Sequence, residues 1–318
     1  MHLVADHQIP IVSDLFEKYC KITQKRGDSL THDDLTTADI LLVRSITPVT
    51  AALLEKTPVK WVGNCAVGTD HIDLAFLSKQ NIQLAQSSGA NASTVTDYVA
   101  ACLTSLSFST QNCTAGVVGY GHIGKKVAQL LTNLGANIVI FDPFTQNSTS
   151  FDQFLINLDL ISFHVPLTKT SPHPTFHMLH SKNLALTKKN LVVINTARGS
   201  VIEESALLQY PRTLCLDVWE NEPAISLALL DRAIVGTPHI AGYSPYAKRL
   251  ATQMVFNEIA IYFQWPTVPL ETPPSEKTPY DPLRHTTIFR QAFKSCKNKE
   301  DIAQVFRTQR DAFYKGNV

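Results

Sequence analysis

The chain reads as short, mostly apolar runs separated by longer stretches whose apolar residues recur at helical spacing. In the first 90 residues, Ile40-Leu41-Leu42-Val43, Val59-Lys60-Trp61-Val62 and Ile82-Gln83-Leu84-Ala85 have the length and apolar content of buried strands. Leu74-Ala75-Phe76-Leu77, between the last two, reads as part of a helix. A second series opens with a helical stretch from Ala92 to Ser107. It continues through Gly116-Val117-Val118, Ile138-Val139-Ile140-Phe141, Leu160-Ile161-Ser162-Phe163, Leu191-Val192-Val193-Ile194, Leu214-Cys215-Leu216 and Ala233-Ile234-Val235. Strands that alternate with helices need crossover connections, and crossovers make parallel sheets. The pattern predicts an α/β chain of two doubly wound parallel-sheet domains, Rossmann-like or flavodoxin-like, with about six strands in the second.

After Trp265 the pattern breaks. Pro266, Pro269, Pro273, Pro274, Pro279 and Pro282 crowd together, as in a linker without regular structure. Thr286 to Tyr314 is helix-compatible and basic and too short for a domain of its own, so it is expected to pack on another part of the chain, as a shortened tail that belongs to neither core.

Composition narrows the function classes. A length of 318 residues suits two domains. With 28 Lys+Arg against 27 Asp+Glu the net charge is +1, which argues against a surface built to neutralise nucleic-acid phosphates. Charged residues are 17% and apolar residues 44%, enough apolar material for a sizeable core and unlike a disordered segment. The six cysteines form no C-x-x-C pair, so no metal site is expected and the thiols read as buried and reduced. Met1-His2-Leu3-Val4-Ala5-Asp6 does not resemble a signal peptide, and no run of 18 apolar residues occurs; no membrane association and a cytoplasmic location are the expectation.

Chemistry enters at Gly119-Tyr120-Gly121-His122-Ile123-Gly124, which follows an apolar strand and opens a helix with Ile123, Val127, Leu130, Leu131 and Leu134 on one face. Gly119 suits a tight turn, Gly121 a close approach of backbone to a pyrophosphate, and Gly124 close packing of helix on strand. The amides of the first helical turn, at His122 and Ile123, then face the phosphates. Asp142 ends the next strand, where a carboxylate accepts hydrogen bonds from a ribose and repels a 2′-phosphate, so NAD is expected over NADP.

Three further segments place polar groups at strand ends: Asn195-Thr196-Ala197-Arg198-Gly199, Asp217-Val218-Trp219-Glu220-Asn221-Glu222-Pro223 and Thr237-Pro238-His239-Ile240-Ala241-Gly242. A guanidinium at Arg198 can grip a carboxylate with two parallel hydrogen bonds. His239 can exchange a proton near neutrality, and a neighbouring carboxylate would orient it and raise its pKa.

Taken in order, these motifs resemble the D-isomer-specific 2-hydroxyacid dehydrogenases over roughly residues 1 to 265. The resemblance implies that Arg198, Glu222 and His239 are catalytic, with His239 the proton donor. It also implies that Asp142, Asp217 and Gly242 contact NAD, and that Ser45 and Tyr243 contact substrate. Glu222 is preferred to Glu220 because the family acid directly precedes the proline; a Glu220 directed at His239 would overturn that choice. Val43-Arg44-Ser45, Gly68-Thr69-Asp70-His71-Ile72-Asp73, Phe163-His164-Val165-Pro166-Leu167 and His239-Ile240-Ala241-Gly242-Tyr243 are similar to a branch acting on a small phosphorylated hydroxy acid. Arg44 and Ser45, with Arg284 as a further candidate, are expected at its phosphate. Other hydroxy acids, and a non-catalytic NAD-sensing protein, remain as alternatives.

The expected organisation is a discontinuous substrate-binding domain (1–90 and 243–266) and an NAD-binding domain (91–242) with substrate between them. Residues 267–318 are expected to form a linker and a shortened dimerisation segment, in a homodimer. One departure concerns Gly63-Asn64-Cys65-Ala66-Val67-Gly68, where Ala66 replaces a family threonine that contacts substrate; the loop's backbone amides would have to serve instead.

Overall fold

The computed structural model describes residues 1–145, 150–170, 172–274 and 280–314; Pro279 of the proline-rich stretch and residues 315–318 of the tail lie outside the described residues. The chain divides into two compact units, Met1–Asn91 with Ser244–Lys277, and Ala92–Tyr243 with Thr278–Val318.

The first unit holds a parallel sheet of β1 (His2–Asp6), β2 (Lys21–Lys25), β3 (Ile40–Val43), β4 (Trp61–Asn64) and β5 (Gln83–Gln86), in the order β2-β1-β3-β4-β5. Alternate residues face opposite layers, as a period of two requires. Leu3, Ala5, Ile40, Leu42, Trp61 and Ala85 meet Phe16, Val255, Phe256 and Ile259, while Val4, Leu41, Val43 and Val62 meet Leu35, Leu53, Leu54 and Leu77. Val255 to Ile259 belong to the returning helix Pro245–Phe263, which starts at an N-cap, Ser244, accepting from the Ala247 amide, with Pro245 in the first turn. Burying Phe256 alone is worth about 2 kcal/mol, so the first sheet depends on a helix encoded far downstream.

The second unit holds β6 (Thr114–Val118), β7 (Asn137–Phe141), β8 (Leu160–Phe163), β9 (Val192–Asn195), β10 (Thr213–Leu216) and β11 (Val235–Gly236), all parallel, in the order β11-β10-β9-β8-β6-β7. The order reverses between β6 and β8, and open α/β sheets bind ligands at the carboxyl ends of the strands beside such a reversal. The helices Ala92–Ser105 and His122–Asn133 cover one face through Tyr98, Val99, Cys102, Val127 and Leu131. Leu134, expected on the buried stripe, is the C-cap and 39% exposed, because Gly135 at φ +88° turns the chain out of the helix.

The tail corrects an expectation. The helices Pro282–Ala292 and Lys299–Tyr314 are no appendage: Phe289, Phe293 and Phe306 lie inside the core on the other face of the second sheet, at 1%, 5% and 0% exposure. The amide of Gly236 on the edge strand β11 donates to Thr286 Oγ1 at 2.9 Å, and the Arg290 guanidinium donates to the carbonyls of Leu230 and Ala233 at the end of the helix Leu227–Arg232. Aromatic residues spaced for one helical face supply the apolar contact, and Thr286 and Arg290 satisfy backbone groups that would otherwise be orphaned. Among the described residues no helix is long and apolar enough to cross a membrane. The six cysteines are free thiols, with only Cys296 not fully buried.

Candidate active site

The glycine turn sits at the carboxyl end of β6. Gly119 is in the left-handed region, its amide donating to Phe141 O at 2.8 Å, and a Cβ there would stand 2.6 Å from the carbonyl oxygen of His164. A Cβ on Gly124 would meet Gly119 O at 1.9 Å, whereas one on Gly121 would meet nothing within 4 Å. Gly119 and Gly124 thus close the turn, and Gly121 opens onto space at a helix N-terminus that no side chain caps. A pyrophosphate fits this cradle, because it supplies the acceptors that the His122 and Ile123 amides require. Asp142 braces it, its two carboxylate oxygens accepting from the amides of Tyr120 (2.7 Å) and Phe144 (2.9 Å). Beside Asp142 a cavity of about 360 Å³ is lined mainly by apolar groups, among them Phe141, Pro143, Val165, Pro174 and Met178, which suits the flat face of an adenine.

The catalytic candidates converge at the ends of β9, β10 and β11. Asn195 closes β9 and shapes the next turn, its side-chain oxygen accepting from the Ala197 amide (3.0 Å) and its amide group donating to Arg198 O (3.0 Å). That turn presents Arg198, whose guanidinium also donates to Ala197 O at 2.8 Å. A Cβ on Gly199 would lie 1.9 Å from the carbonyl carbon of Trp219, so the Arg198 turn packs backbone to backbone on the segment that carries Glu222.

His239 Nδ1 donates to Glu222 Oε2 at 2.8 Å, and the Trp219 amide donates to Glu222 Oε1 at 2.8 Å. Glu220 is directed elsewhere, to His177, so Glu222 is the carboxylate of the pair. With Nδ1–H on Glu222, proton exchange with a substrate falls to Nε2. Burial, the largest influence, pulls the His239 pKa down; the charge and hydrogen bond of Glu222 and the charge of Asp217 outweigh it, Arg198 opposes them, and the net shift is upward.

Asp217 builds the loop that carries His239. Its Oδ1 accepts from Thr237 Oγ1 (2.6 Å) and the Ile240 amide (2.8 Å), and its Oδ2 from the Ala241 amide (2.8 Å). Thr237 has one proton and gives it to Asp217, so Tyr98, 2.6 Å away, donates to Thr237. Asp217 is 1% exposed, and burial raises its pKa against the opposing pull of His239, Thr237 and the loop amides. Gly242 and Tyr243 follow directly, with the Tyr243 amide on Ile240 O at 2.9 Å and its ring edge-on to Phe313 of the tail at 5.7 Å. Arg284 is exposed on the helix Pro282–Ala292.

In the first unit, Arg44 is no surface residue: its Nε donates to the fully buried Asp6 at 2.8 Å, and its side chain is 15% exposed. Lys248 lies close enough to feel both charges; burial first, then repulsion from Arg44, lowers its pKa to about 8. Ser45, beside Arg44, is exposed. The Ala66 amide donates to Asn64 Oδ1 at 3.2 Å and is occupied within its own loop, which Ser87 ties down through the carbonyls of Asn64 and Ala66.

Three residues near the second sheet had no assigned role in the sequence. Asn195 and His177 work through local hydrogen bonds. His164, just past β8, lies between Ser162 Oγ (2.9 Å from Nε2) and Thr196 Oγ1 (3.4 Å from Nδ1), and burial drives its pKa down to about 3, so it stays neutral at the end of the sheet where the glycine turn lies.

The profile of the D-isomer specific 2-hydroxyacid dehydrogenase NAD binding domain matches residues 89–241. An erythronate-4-phosphate dehydrogenase of Acinetobacter baumannii is 40% identical over 268 residues, covering 80% of this chain and 76% of the relative. The chain belongs to the D-isomer-specific 2-hydroxyacid dehydrogenases. It is therefore an NAD-dependent oxidoreductase with NAD as cofactor. A second family member, an erythronate-4-phosphate dehydrogenase of Coxiella burnetii, is 41% identical over 271 residues, or 82% of this chain and 74% of that one. Among solved structures, D-lactate dehydrogenase from Aquifex aeolicus, complexed with NAD and lactic acid, is 26% identical with a TM-score of 0.68, covering 83% of this chain and 96% of that one. A 3-phosphoglycerate dehydrogenase from Entamoeba histolytica with bound NAD+ shares the fold, with a TM-score of 0.71 at 20% identity over 83% of this chain and 95% of that one.

Proposed function

We propose that this dehydrogenase oxidises 4-phospho-D-erythronate to 2-oxo-3-hydroxy-4-phosphobutanoate, a step of pyridoxal phosphate biosynthesis. The observation that carries the catalytic assignment is the 2.8 Å bond from His239 Nδ1 to Glu222 Oε2. Arg198 binds the substrate carboxylate and polarises the developing carbonyl. His239 Nε2 takes the hydroxyl proton, and Glu222 stabilises the imidazolium. NAD, when bound, would supply the acceptor for the hydride that leaves the adjacent carbon. In the reverse direction His239 returns the proton. Gly119, Gly121, His122, Ile123, Gly124, Asp142, Asp217 and Gly242 would hold the cofactor.

The choice of substrate is supported by the names of the relatives and by the first unit's charges. Arg44 is fixed through Nε, which leaves its terminal amino groups to bind an anion, and Lys248 places a second cation near it. Arg44 and Lys248, both near the buried Asp6, are the cations of the first unit that a phosphate dianion would meet there. Ser45 and Tyr243 complete the proposed substrate contacts. A cytoplasmic location and a homodimer belong to the same proposal.

The test is NADH formation from a panel of 4-phosphoerythronate, 3-phosphoglycerate, glycerate and lactate. The phosphorylated four-carbon acid is expected to have the highest kcat/KM. Arg44→Ala should cost roughly ten- to a hundred-fold with it, the worth of one charge-assisted contact, and little with glycerate. Equal turnover of the non-phosphorylated acids would refute the choice of substrate. His239→Asn is expected to abolish turnover while NADH still binds; retained turnover would remove His239 from the proton transfer.

A further inference from the structure

A second imidazole–carboxylate pair stands beside the one just described. His177 Nε2 donates to Glu220 Oε1 at 2.7 Å, with the side chains 29% and 18% exposed. Glu220 lies two residues before Glu222, and its other oxygen accepts from the Glu204 amide at 3.3 Å. The backbone amide of His177 donates to Ser200 O at 2.8 Å, two residues beyond Arg198. His177 therefore grips one catalytic segment with its backbone and the other with its side chain.

The surroundings make this grip consequential. The stretch after His177 runs alongside the Arg198 segment: Leu179 pairs with Ile202, and the Glu203 amide donates to Leu179 O at 2.9 Å. Gly199 and Trp219 touch backbone to backbone, so a displacement of either segment is transmitted to the other. His177, Asn221 and His239 all lie in the left-handed region, at φ 50°, 62° and 59°. Each such residue costs on the order of 1 kcal/mol or more and persists only where surrounding contacts over-determine it. For His177 those contacts are Ser200, Glu220 and the stacked ring of Phe176, 3.9 Å away. The other charged groups around the pair are Glu203, whose carboxylate is occupied by Ser181, Glu204, whose pKa burial and then Glu220 raise, and Lys169, over the Phe176 ring.

We propose that His177 and Glu220 are positioning residues for hydride transfer, a staple that fixes the Arg198 turn against the segment bearing Glu222. Neither touches the reacting atoms, and the proposal rests on the assignment of Arg198, Glu222 and His239 to the chemistry. Misplacement of a catalytic group by about 1 Å can cost on the order of a hundred-fold in rate.

The test compares Glu220→Ala, His177→Ala and the double variant with Glu220→Gln and His177→Gln, which keep an acceptor and a donor. The alanine variants should lose about ten- to a hundred-fold in kcat, with NADH affinity within about twofold. The double variant should be no worse than either single one, and the glutamine variants should recover most of the loss. Because a loosened Glu222 no longer raises the His239 pKa, the low-pH limb of kcat/KM for oxidation should move to lower pH. The His239 ring titration followed by NMR should fall with it, a readout that needs no turnover. Unchanged kcat and an unmoved His239 titration in both alanine variants would overturn the proposal, whatever happens to Tm. An unmoved titration overturns it equally if the wild type proves inactive on every hydroxy acid, an outcome that separately refutes the catalytic assignment.

Discussion

At the scale of single residues, the site is a set of charges balanced against burial. His239 has its pKa raised because Glu222 and Asp217 outweigh burial and Arg198. In the oxidative direction the imidazole must be neutral to accept a proton, so kcat/KM should rise as pH passes upward through that raised value, and in reduction it should fall through the same value. Glu222→Gln removes the main charge that raises it. The limb should then shift to lower pH and kcat should fall about ten- to a hundred-fold; a pH profile that keeps its limb would contradict the pairing. Asp142 is the carboxylate proposed to set cofactor choice, and it also holds the Tyr120 amide at 2.7 Å. Asp142→Ala should narrow the preference for NADH over NADPH and weaken both, measured as Kd by fluorescence, since the glycine turn loses a brace along with the charge.

At the scale of elements, legibility in the sequence followed apolar content. Ile40–Val43, Leu160–Phe163 and the runs around them are strands because nearly every residue is buried, and such runs are visible without a structure. β1 and β2 were not singled out: β2, Lys-Ile-Thr-Gln-Lys, is a half-exposed edge strand with charged ends, and nothing in it signals burial. The motifs bearing Gly119, Arg198, Glu222 and His239 were legible because their chemistry demands particular residue types at strand ends. Asn195, His164 and His177 were not, because they act by hydrogen bonds to neighbours that only folding brings close. The tail is less legible for a related reason. Its prolines read as linker, while Phe289, which helps to seat it, packs against Trp219 of a distant segment. Phe306→Ala should cost about 3–5 kcal/mol in unfolding free energy, as for a fully buried aromatic; a loss below about 1 kcal/mol by denaturant titration would place the helix outside the core.

At the scale of the whole molecule, neither unit is continuous in sequence. The first takes a helix from beyond residue 243, and the second takes two from beyond residue 277. Each core is thus completed by residues encoded after the other unit has begun or ended. Ligand binding stabilises the state that binds, so saturating NADH at about a hundred times its Kd should add about 2.7 kcal/mol to the unfolding free energy of the second unit. Hydrogen exchange locates that gain: protection should rise most around the glycine turn, Asp142 and the His239 loop, and a uniform rise over all strands would mean that the two units unfold together.

The interleaving also has a meaning in time. On the ribosome, β1 to β5 emerge long before Val255, Phe256 and Ile259, so until these follow, one face of the first sheet is covered only in part, by residues such as Val12 and Phe16. The second sheet waits in turn for Phe289 and Phe306, and the backbone amide at the end of β11 waits for Thr286. A nascent chain of this protein must carry two incompletely covered apolar faces at once and close them in quick succession once residues 255 to 306 have emerged, a schedule that exposes it to aggregation and to chaperones for longer than a chain whose domains complete one after another.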